Sequence, residues 1–144
     1  MMRAAIFTID SGIYKAKAES AAASALKRML EQVGFEVKAA SVLPQEREVV
    51  ATVLRQLSDS GAVDLILTTG AVGYQDGDCA PEALSDAAEM LIPGIPEALR
   101  AYNLRYTKAS MMLHMNLPES AKTAKEDMEY ILMETVQVVE NLSL

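Results

Sequence analysis

A nearly continuous apolar run near the middle of the chain limits the possible folds more than any other feature. Val63-Asp64-Leu65-Ile66-Leu67-Thr68-Thr69 has little polar interruption, which indicates a strand buried on both faces, as at the centre of a parallel sheet. Segments with helical spacing lie before and after it. Because strands and helices alternate, we predict a three-layer α/β/α sandwich with a mostly parallel sheet. The length of 144 residues suits one domain, expected over residues 1–144.

The remaining elements follow from hydrophobic periodicity and from turn residues. Strands are expected over residues 3–10, 35–43, 63–69 and 111–117. Helices are expected over residues 17–33, 45–60, 81–91 and 96–106, with a last helix that begins near Glu119 or Ser120. Ser20 is the predicted N-cap of the first helix and Gly34 its stop, and Gly61 ends the second.

Charge and composition exclude several classes of partner. The net charge is −7 and the aromatic fraction is 5% without any Trp, so the chain has neither a general field for nucleic acid or anionic lipid nor a platform for stacking bases. No stretch approaches the ~20 apolar residues that cross a bilayer. Cys79 is the only cysteine, which excludes an internal disulfide and fits a reducing compartment. We therefore expect a cytoplasmic protein without nucleic-acid or membrane partners.

Ligands of parallel α/β sheets bind beyond the carboxyl ends of the strands. The segments to consider are residues 10–20, 44–46, 70–82 and 116–122. Gly70 and Gly73 follow the central strand, and glycines there let backbone N–H groups point at an anion. Taken alone, this pair of glycines is more typical of a plain turn at the end of a strand. It is neither a P-loop nor a dinucleotide-binding fingerprint.

The residues after this turn extend it into a longer pattern with a defined order and spacing. Thr-Thr-Gly-x-x-Gly begins at Thr68, four residues separate its last glycine from Asp78, and Pro-Glu-Ala begins at Pro81. This pattern resembles the signature of the MogA/MoaB-type molybdopterin-binding family. The resemblance covers almost the whole chain, through Thr-Ile-Asp-Ser at 8–11, Gly-Phe-Glu-Val at 34–37, Pro-Gly-Ile-Pro-Glu-Ala-Leu-Arg at 93–100 and Asn-Leu-Pro-Glu-Ser-Ala-Lys at 116–122.

The resemblance implies an α/β/α fold, a homo-oligomer that is often a trimer, and molybdopterin as a small anionic ligand held through its phosphate. In the adenylyltransferases of the family, ATP and Mg²⁺ serve to adenylylate molybdopterin. Asp78 is then the candidate catalytic residue and a candidate Mg²⁺ ligand. The candidate ligand-binding residues are Asp10, Ser11, Gly12, Ser20, Thr69, Gly70, Gly73, Pro118, Ser120 and Lys122.

Departures from the family's pattern fall on the same loops. Gln45 replaces an acidic residue, and Glu119 puts a charge where the family has glycine. Ala71 and Val72 replace glycine and threonine, which we expect to crowd a phosphate and to remove a hydroxyl donor. Ala80 replaces threonine, and because alanine is a poor N-cap we expect a cost of ~1 kcal/mol relative to threonine. We therefore predict degenerate site loops: either a molybdopterin-binding protein with weak or absent adenylyltransferase activity, or a non-catalytic relative that binds another small anion or a partner protein.

Other polar residues have plainer interpretations. Asp78 is as well explained by the dipole of the helix that follows as by a metal. His114 lies in an apolar strand-like run, where a lone histidine is usually hydrogen-bonded structure. Cys79 is next to carboxylates that raise the pKa of a thiol and so disfavour a nucleophile.

Overall fold

The structure, a computed structural model, describes residues 1–72, 75–88 and 94–104. Strands and helices alternate along this part of the chain, as predicted. The elements are β1 (Arg3–Ile9), α1 (Ser11–Ala16), α2 (Ala21–Gln32), β2 (Glu36–Leu43), α3 (Arg47–Ser60), β3 (Leu65–Thr69), α4 (Ala80–Ala87) and α5 (Gly94–Asn103).

The strands form a parallel sheet in the order β2-β1-β3. Thr8 lies opposite Thr69, and Ile9 lies opposite Leu43. The parallel orientation predicted for the apolar run of β3 is confirmed. Its interior position requires a neighbour on the other side, and the strand predicted over residues 111–117 lies outside the described residues.

Side chains of β1 alternate between two apolar clusters and so define the layers. Ala4 and Ile6 pack with α2, whereas Phe7 and Ile9 pack with α3 and α4 on the opposite face. Ile6 and Ile9 are almost fully buried. Helices therefore cover both faces of the sheet, and the predicted three-layer α/β/α sandwich is confirmed.

The first predicted helix begins later than expected, because a separate helix precedes it. Asp10 N-caps α1 by accepting a hydrogen bond from the Ile13 N–H at 2.9 Å. Lys17 ends α1 with a left-handed φ of 52°. The prediction that a helix starts at Lys17 is therefore wrong. The predicted N-cap of α2 is confirmed, since Ser20 Oγ accepts from the Ala23 N–H at 3.1 Å.

Four other helix boundaries show which local sequence signals predict the structure correctly. Gly61 caps α3 with a φ of 66°, as predicted, and Gly34 follows α2 with a φ of 93°. The predicted extension of α4 to residue 91 is wrong, because Ala88 is extended. Helix α5 begins at Gly94, so Pro96 lies within its first turn, where proline's missing N–H breaks no hydrogen bond.

The described segments contain no helix long and apolar enough to cross a membrane. Gly73, His114 and the last predicted helix lie outside the described residues.

Candidate functional site

The three strands of the described residues end together, and the segments that follow them meet at one edge of the sheet, here called the carboxyl edge. The Asp10 N–H donates to the carbonyl of Leu43, the last residue of β2, at 3.0 Å. Gly70, directly after β3, lies so close to β1 that a Cβ added to it would be 2.5 Å from the Ile9 carbonyl oxygen. The predicted site segments after β1 and β3 are therefore neighbours.

The segment after β1 is ordered by its own polar groups. The carboxylate of Asp10 caps α1 and lies above Gly12, where an added Cβ would be 3.2 Å from Asp10 Oδ1. A larger residue at position 12 would press on this carboxylate. Asp10, Ser11 and Gly12 thus form the start of a short helix, not an open loop.

Gln45 connects this segment to the one before α4. Its Oε1 accepts from the Ser11 N–H at 3.1 Å, and its Nε2 donates to the Gly77 carbonyl at 3.2 Å. Its backbone N–H donates to Ser11 Oγ at 2.8 Å. We call these three hydrogen bonds the amide bridge. The bridge joins the segments that follow β1, β2 and β3.

Residues 70–72, here the strand-end turn, combine left-handed backbone with apolar packing. Gly70 has a φ of 94° and Ala71 a φ of 55°, a conformation that costs a residue with a Cβ ~1–2 kcal/mol. Val72 is 7% exposed and belongs to the core cluster that contains Phe7. The half-buried Ala71 packs against the same cluster. The expectation that its methyl crowds a phosphate stays a prediction.

The N-cap of α4 is not Ala80, the residue expected from the sequence. Cys79 is the N-cap and makes no side-chain capping bond, while Ala80 is fully buried inside the helix. The prediction that Ala80 removes a helix cap is therefore wrong, because a side chain at this position faces the core. The Ala80 N–H donates to the Ala71 carbonyl at 3.1 Å, which ties α4 to the strand-end turn.

Asp78 closes its own turn. Its Oδ2 accepts from the Gln75 N–H at 2.9 Å, and its N–H donates to the Gln75 carbonyl at 3.0 Å. The turn places Asp78 directly before the N-cap of α4 and directly after Gly77, the partner of Gln45. Within residues 1–72, 75–88 and 94–104, no group of three or more His, Cys, Asp or Glu side chains could hold a metal ion.

Two titratable groups near α4 have altered pKa values. Burial, with the nearby carboxylates of Glu82 and Asp78, raises the pKa of the Cys79 thiol, which keeps it protonated at neutral pH. Arg47, the first residue of α3, donates to both carboxylate oxygens of Asp86 at 2.7 and 2.8 Å. These hydrogen bonds lower the pKa of Asp86.

Ser20 lies apart from the amide bridge, on the α2 side of the sheet. It borders a cavity of about 270 Å³ between the start of α2 and the end of β2. The cavity is lined by Ala18, Glu19, Ser20, Ala23, Ser24, Lys27, Ala40, Ser41 and Val42. Of the other predicted site residues, Thr69 is buried at the end of β3. Gly73, Pro118, Ser120 and Lys122 lie outside the described residues, as does Glu119.

Gln45 and Gly77 are the residues of this edge that were not predicted as site residues. Gln45 follows the second strand directly, which is where sequence reasoning places site residues, but it was interpreted only as the loss of an acid. Its amide carries both a donor and an acceptor, and this was the available signal that it could join two segments.

Comparison with known proteins agrees with the fold and the order of these segments. The sequence profile of a family described as "Probable molybdopterin binding domain" matches residues 5–137. The chain belongs to this molybdopterin-binding family. The resemblance predicted from the sequence is confirmed. Among solved structures, the molybdopterin biosynthesis enzyme MoaB from Thermus thermophilus shares 31% identity and a TM-score of 0.76, covering 92% of this chain and 90% of that one.

Three further proteins differ in how much sequence and structure they share with this chain. The Mog protein from Mycobacterium ulcerans matches over 99% of both chains with a TM-score of 0.84. At 23% identity, this match shows similarity of fold alone. Molybdopterin adenylyltransferase of Escherichia coli K12 is 28% identical over 131 residues, which are 83% of this chain and 66% of the relative. For the Haemophilus influenzae enzyme of the same name, the chain spans 50% of its length at 29% identity.

Proposed function

We propose that this chain binds molybdopterin at the carboxyl edge and acts in molybdenum cofactor biosynthesis. The observation that carries the proposal is the amide bridge, since it assembles the segments after all three described strands in a member of the molybdopterin-binding family. Parallel α/β sheets place their ligands at this edge.

The anionic part of molybdopterin would be held by local groups, because the chain as a whole has a net charge of −7. The left-handed backbone at Gly70 and Ala71 supports this assignment, since consecutive N–H groups in such turns form anion-binding concavities. We assign ligand contacts to Asp10, Ser11, Gly12, Thr69 and Gly70, with Ser20 on the α2 side. Gly73, Pro118, Ser120 and Lys122 complete the proposed set.

Adenylylation with ATP and Mg²⁺ is proposed to be weak. When bound, Mg²⁺ would neutralise phosphate charge, and it is usually held by one or two carboxylates together with the phosphates themselves. Asp78 is the carboxylate proposed for this role, and its Oδ2 is committed to the Gln75 N–H. Gln45 contributes an uncharged amide whose donor and acceptor are both engaged. The donor set therefore fits a metal only in part.

The second candidate function is binding without catalysis, of another small anion or of a partner protein. The amide bridge favours it, because the bridge holds the segments of the edge together without a charge on Gln45. As part of either function we also propose a cytoplasmic protein that forms a homo-oligomer, with a trimer as the expected state in sedimentation equilibrium.

The test is a titration with molybdopterin and an ATP-dependent adenylylation assay with Mg²⁺. We expect measurable binding by the natural chain and much slower turnover than in a relative with the acidic residue in place. A variant with Gln45→Glu and Glu119→Gly puts an acid of the same length at position 45 and removes the charge at position 119, and we expect it to turn over faster with Mg²⁺.

Two results would contradict these proposals. Absence of molybdopterin binding by the natural chain would remove the first function and leave the second. Rapid adenylylation by the natural chain, unchanged in the variant, would show that the departures at Gln45 and Glu119 do not weaken the site.

A further inference from the structure

We propose that Gln45 is a positioning residue that sets the spacing between Ser11 and Gly77, and that this role requires both ends of its amide. The inference deepens the proposed function, since the positioned segments are those assigned to the ligand. It also assigns the kind of ligand: an anion that binds without a divalent cation. Both ends of the uncharged Gln45 amide are engaged, and the described residues hold no group of three or more His, Cys, Asp or Glu side chains that could bind a cation.

The geometry makes Gln45 the connecting residue of the edge. Ser11 is 34 residues away in the sequence and Gly77 is 32 residues away, yet a single side chain contacts both. The hydrogen bond from the Gln45 N–H to Ser11 Oγ holds the backbone of residue 45 beside α1. The side chain then spans from the Ser11 N–H to the Gly77 carbonyl, so the distance between these groups depends on its length and polarity.

The partners at the two ends need opposite hydrogen-bonding groups. The Ser11 N–H requires an acceptor, and the Gly77 carbonyl requires a donor. A glutamine amide provides both, whereas a carboxylate accepts only. Glutamate at this position would keep the bond to Ser11 and place a charged oxygen against the Gly77 carbonyl. Aspartate is also shorter by one methylene and could not span the two groups.

The Gly77 end of the bridge reaches the turn that carries Asp78. Gly77 has a φ of 95°, and a Cβ added there would be 3.4 Å from Gln45 Nε2, so the amide packs directly on the glycine. Asp78 follows, and both of its bonds to Gln75 close this turn. Release of Gly77 therefore loosens the turn before α4, whereas release of Ser11 loosens the start of α1.

Two substitutions of similar length separate the ends of the amide. Gln45→Glu keeps the acceptor and loses the donor, and Gln45→Met loses both. Gln56→Glu, on an exposed position of α3, is the matched control for the added charge. The experiment measures amide hydrogen exchange at Ser11 and Asp78 by NMR in the full chain, and the affinity for molybdopterin with Mg²⁺ or with a chelator.

We expect an asymmetric result. In Gln45→Glu, exchange at Ser11 stays as in the natural chain while exchange at Asp78 becomes about 5- to 10-fold faster, the effect of one lost hydrogen bond. In Gln45→Met, both amides exchange faster. Molybdopterin affinity of the natural chain is the same with Mg²⁺ and with chelator. Gln45→Glu binds several-fold more weakly with chelator and regains affinity when Mg²⁺ is added.

Equal exchange at Asp78 in Gln45→Glu and the natural chain would overturn the positioning role. An affinity of the natural chain that requires Mg²⁺ would overturn the assigned ligand class. Because exchange is measured without ligand, a chain that shows the asymmetry but binds no molybdopterin contradicts the proposed function alone. A merely structural role of Gln45 would leave no dependence on Mg²⁺ in the glutamate variant.

Discussion

The amide bridge and the strand-end turn hold the same edge of the sheet by different physical means. The bridge relies on polar groups of Gln45, Ser11 and Gly77 that satisfy one another. The turn relies on left-handed backbone at Gly70 and Ala71, kept in place by the burial of Val72. Hydrogen bonds depend on the identity of donor and acceptor, whereas packing depends on volume. We therefore expect substitutions of Gln45 to change the spacing of the segments that the bridge joins. Substitutions within residues 70–72 should instead change the stability of the turn.

The largest expected effect is at Gly70. Gly70→Ala would place a methyl 2.5 Å from the Ile9 carbonyl oxygen at a φ of 94°, and we expect a loss of roughly 3–5 kcal/mol in the free energy of unfolding. Gly61→Ala is the matched control. Gly61 also has a positive φ, but nothing lies within 4 Å of the added Cβ, so ~1 kcal/mol is expected. Equal losses in urea unfolding would show that the close approach to β1 is unimportant.

The next effect is at Val72. Val72→Thr introduces the family's residue, but the side chain at this position lies in the apolar cluster with Phe7 and Ile9. Burying a hydroxyl there should lower the free energy of unfolding by ~1–2 kcal/mol. Val72→Ala should cost a similar ~1.5 kcal/mol through lost methyl groups. A threonine variant as stable as the natural chain, in the same denaturation experiment, would mean that its hydroxyl finds a partner.

A smaller effect of opposite sign is expected at Ala71. Ala71→Gly removes the strain of a Cβ at a φ of 55°, which is partly offset by the greater freedom of glycine in the unfolded chain. The net result should be a stabilisation of up to ~1 kcal/mol. Thermal unfolding of this variant beside Ala88→Gly, at an extended position, provides the contrast. If Ala71→Gly is less stable than the natural chain, the contact of the Ala71 methyl with the core outweighs the strain of its positive φ.

The smallest effect concerns the ion pair that links the two regions through α3 and α4. Because Arg47 lowers the pKa of Asp86 in the folded state, the pair stabilises the protein above the unfolded pKa of about 4. This contribution is lost as the pH falls through the lower, folded pKa. Asp86→Asn should make melting temperature depend less steeply on pH below about 4. Arg47→Gln should do the same, and the double variant should add nothing further. Unchanged slopes would show that the pair does not contribute.

Features that depend on neighbouring residues were predictable from the sequence. The cap at Ser20 and the helix ends at Gly34 and Gly61 follow from side-chain chemistry and from glycine's access to positive φ. The parallel sheet followed from the apolar run of β3. Helix α1 was missed because its six residues are too few to show a helical period, and because Asp10 was interpreted as a ligand residue instead of a cap.

Features that depend on distant residues were less predictable. The amide bridge joins residues more than thirty positions apart, and no local pattern predicts such contacts. The burial of Ala80 was missed for a related reason. Element boundaries are the least reliable part of a sequence-based prediction, and one residue decides whether a side chain caps the helix or enters the core.

The central place of β1 has a consequence for how the chain folds. Ile6 is paired with Leu67, and Arg3 with Asp64, 61 residues later. During synthesis, β1 is made before β3 and thus gains its second neighbour only once β3 has left the ribosome. Until then β1, with apolar side chains that include Ile6 and Phe7, has β2 but not β3 as a neighbouring strand. Contacts of such separation slow folding, and unpaired strand edges favour aggregation. We therefore expect release of the nascent chain before β3 to yield a species bound by chaperones.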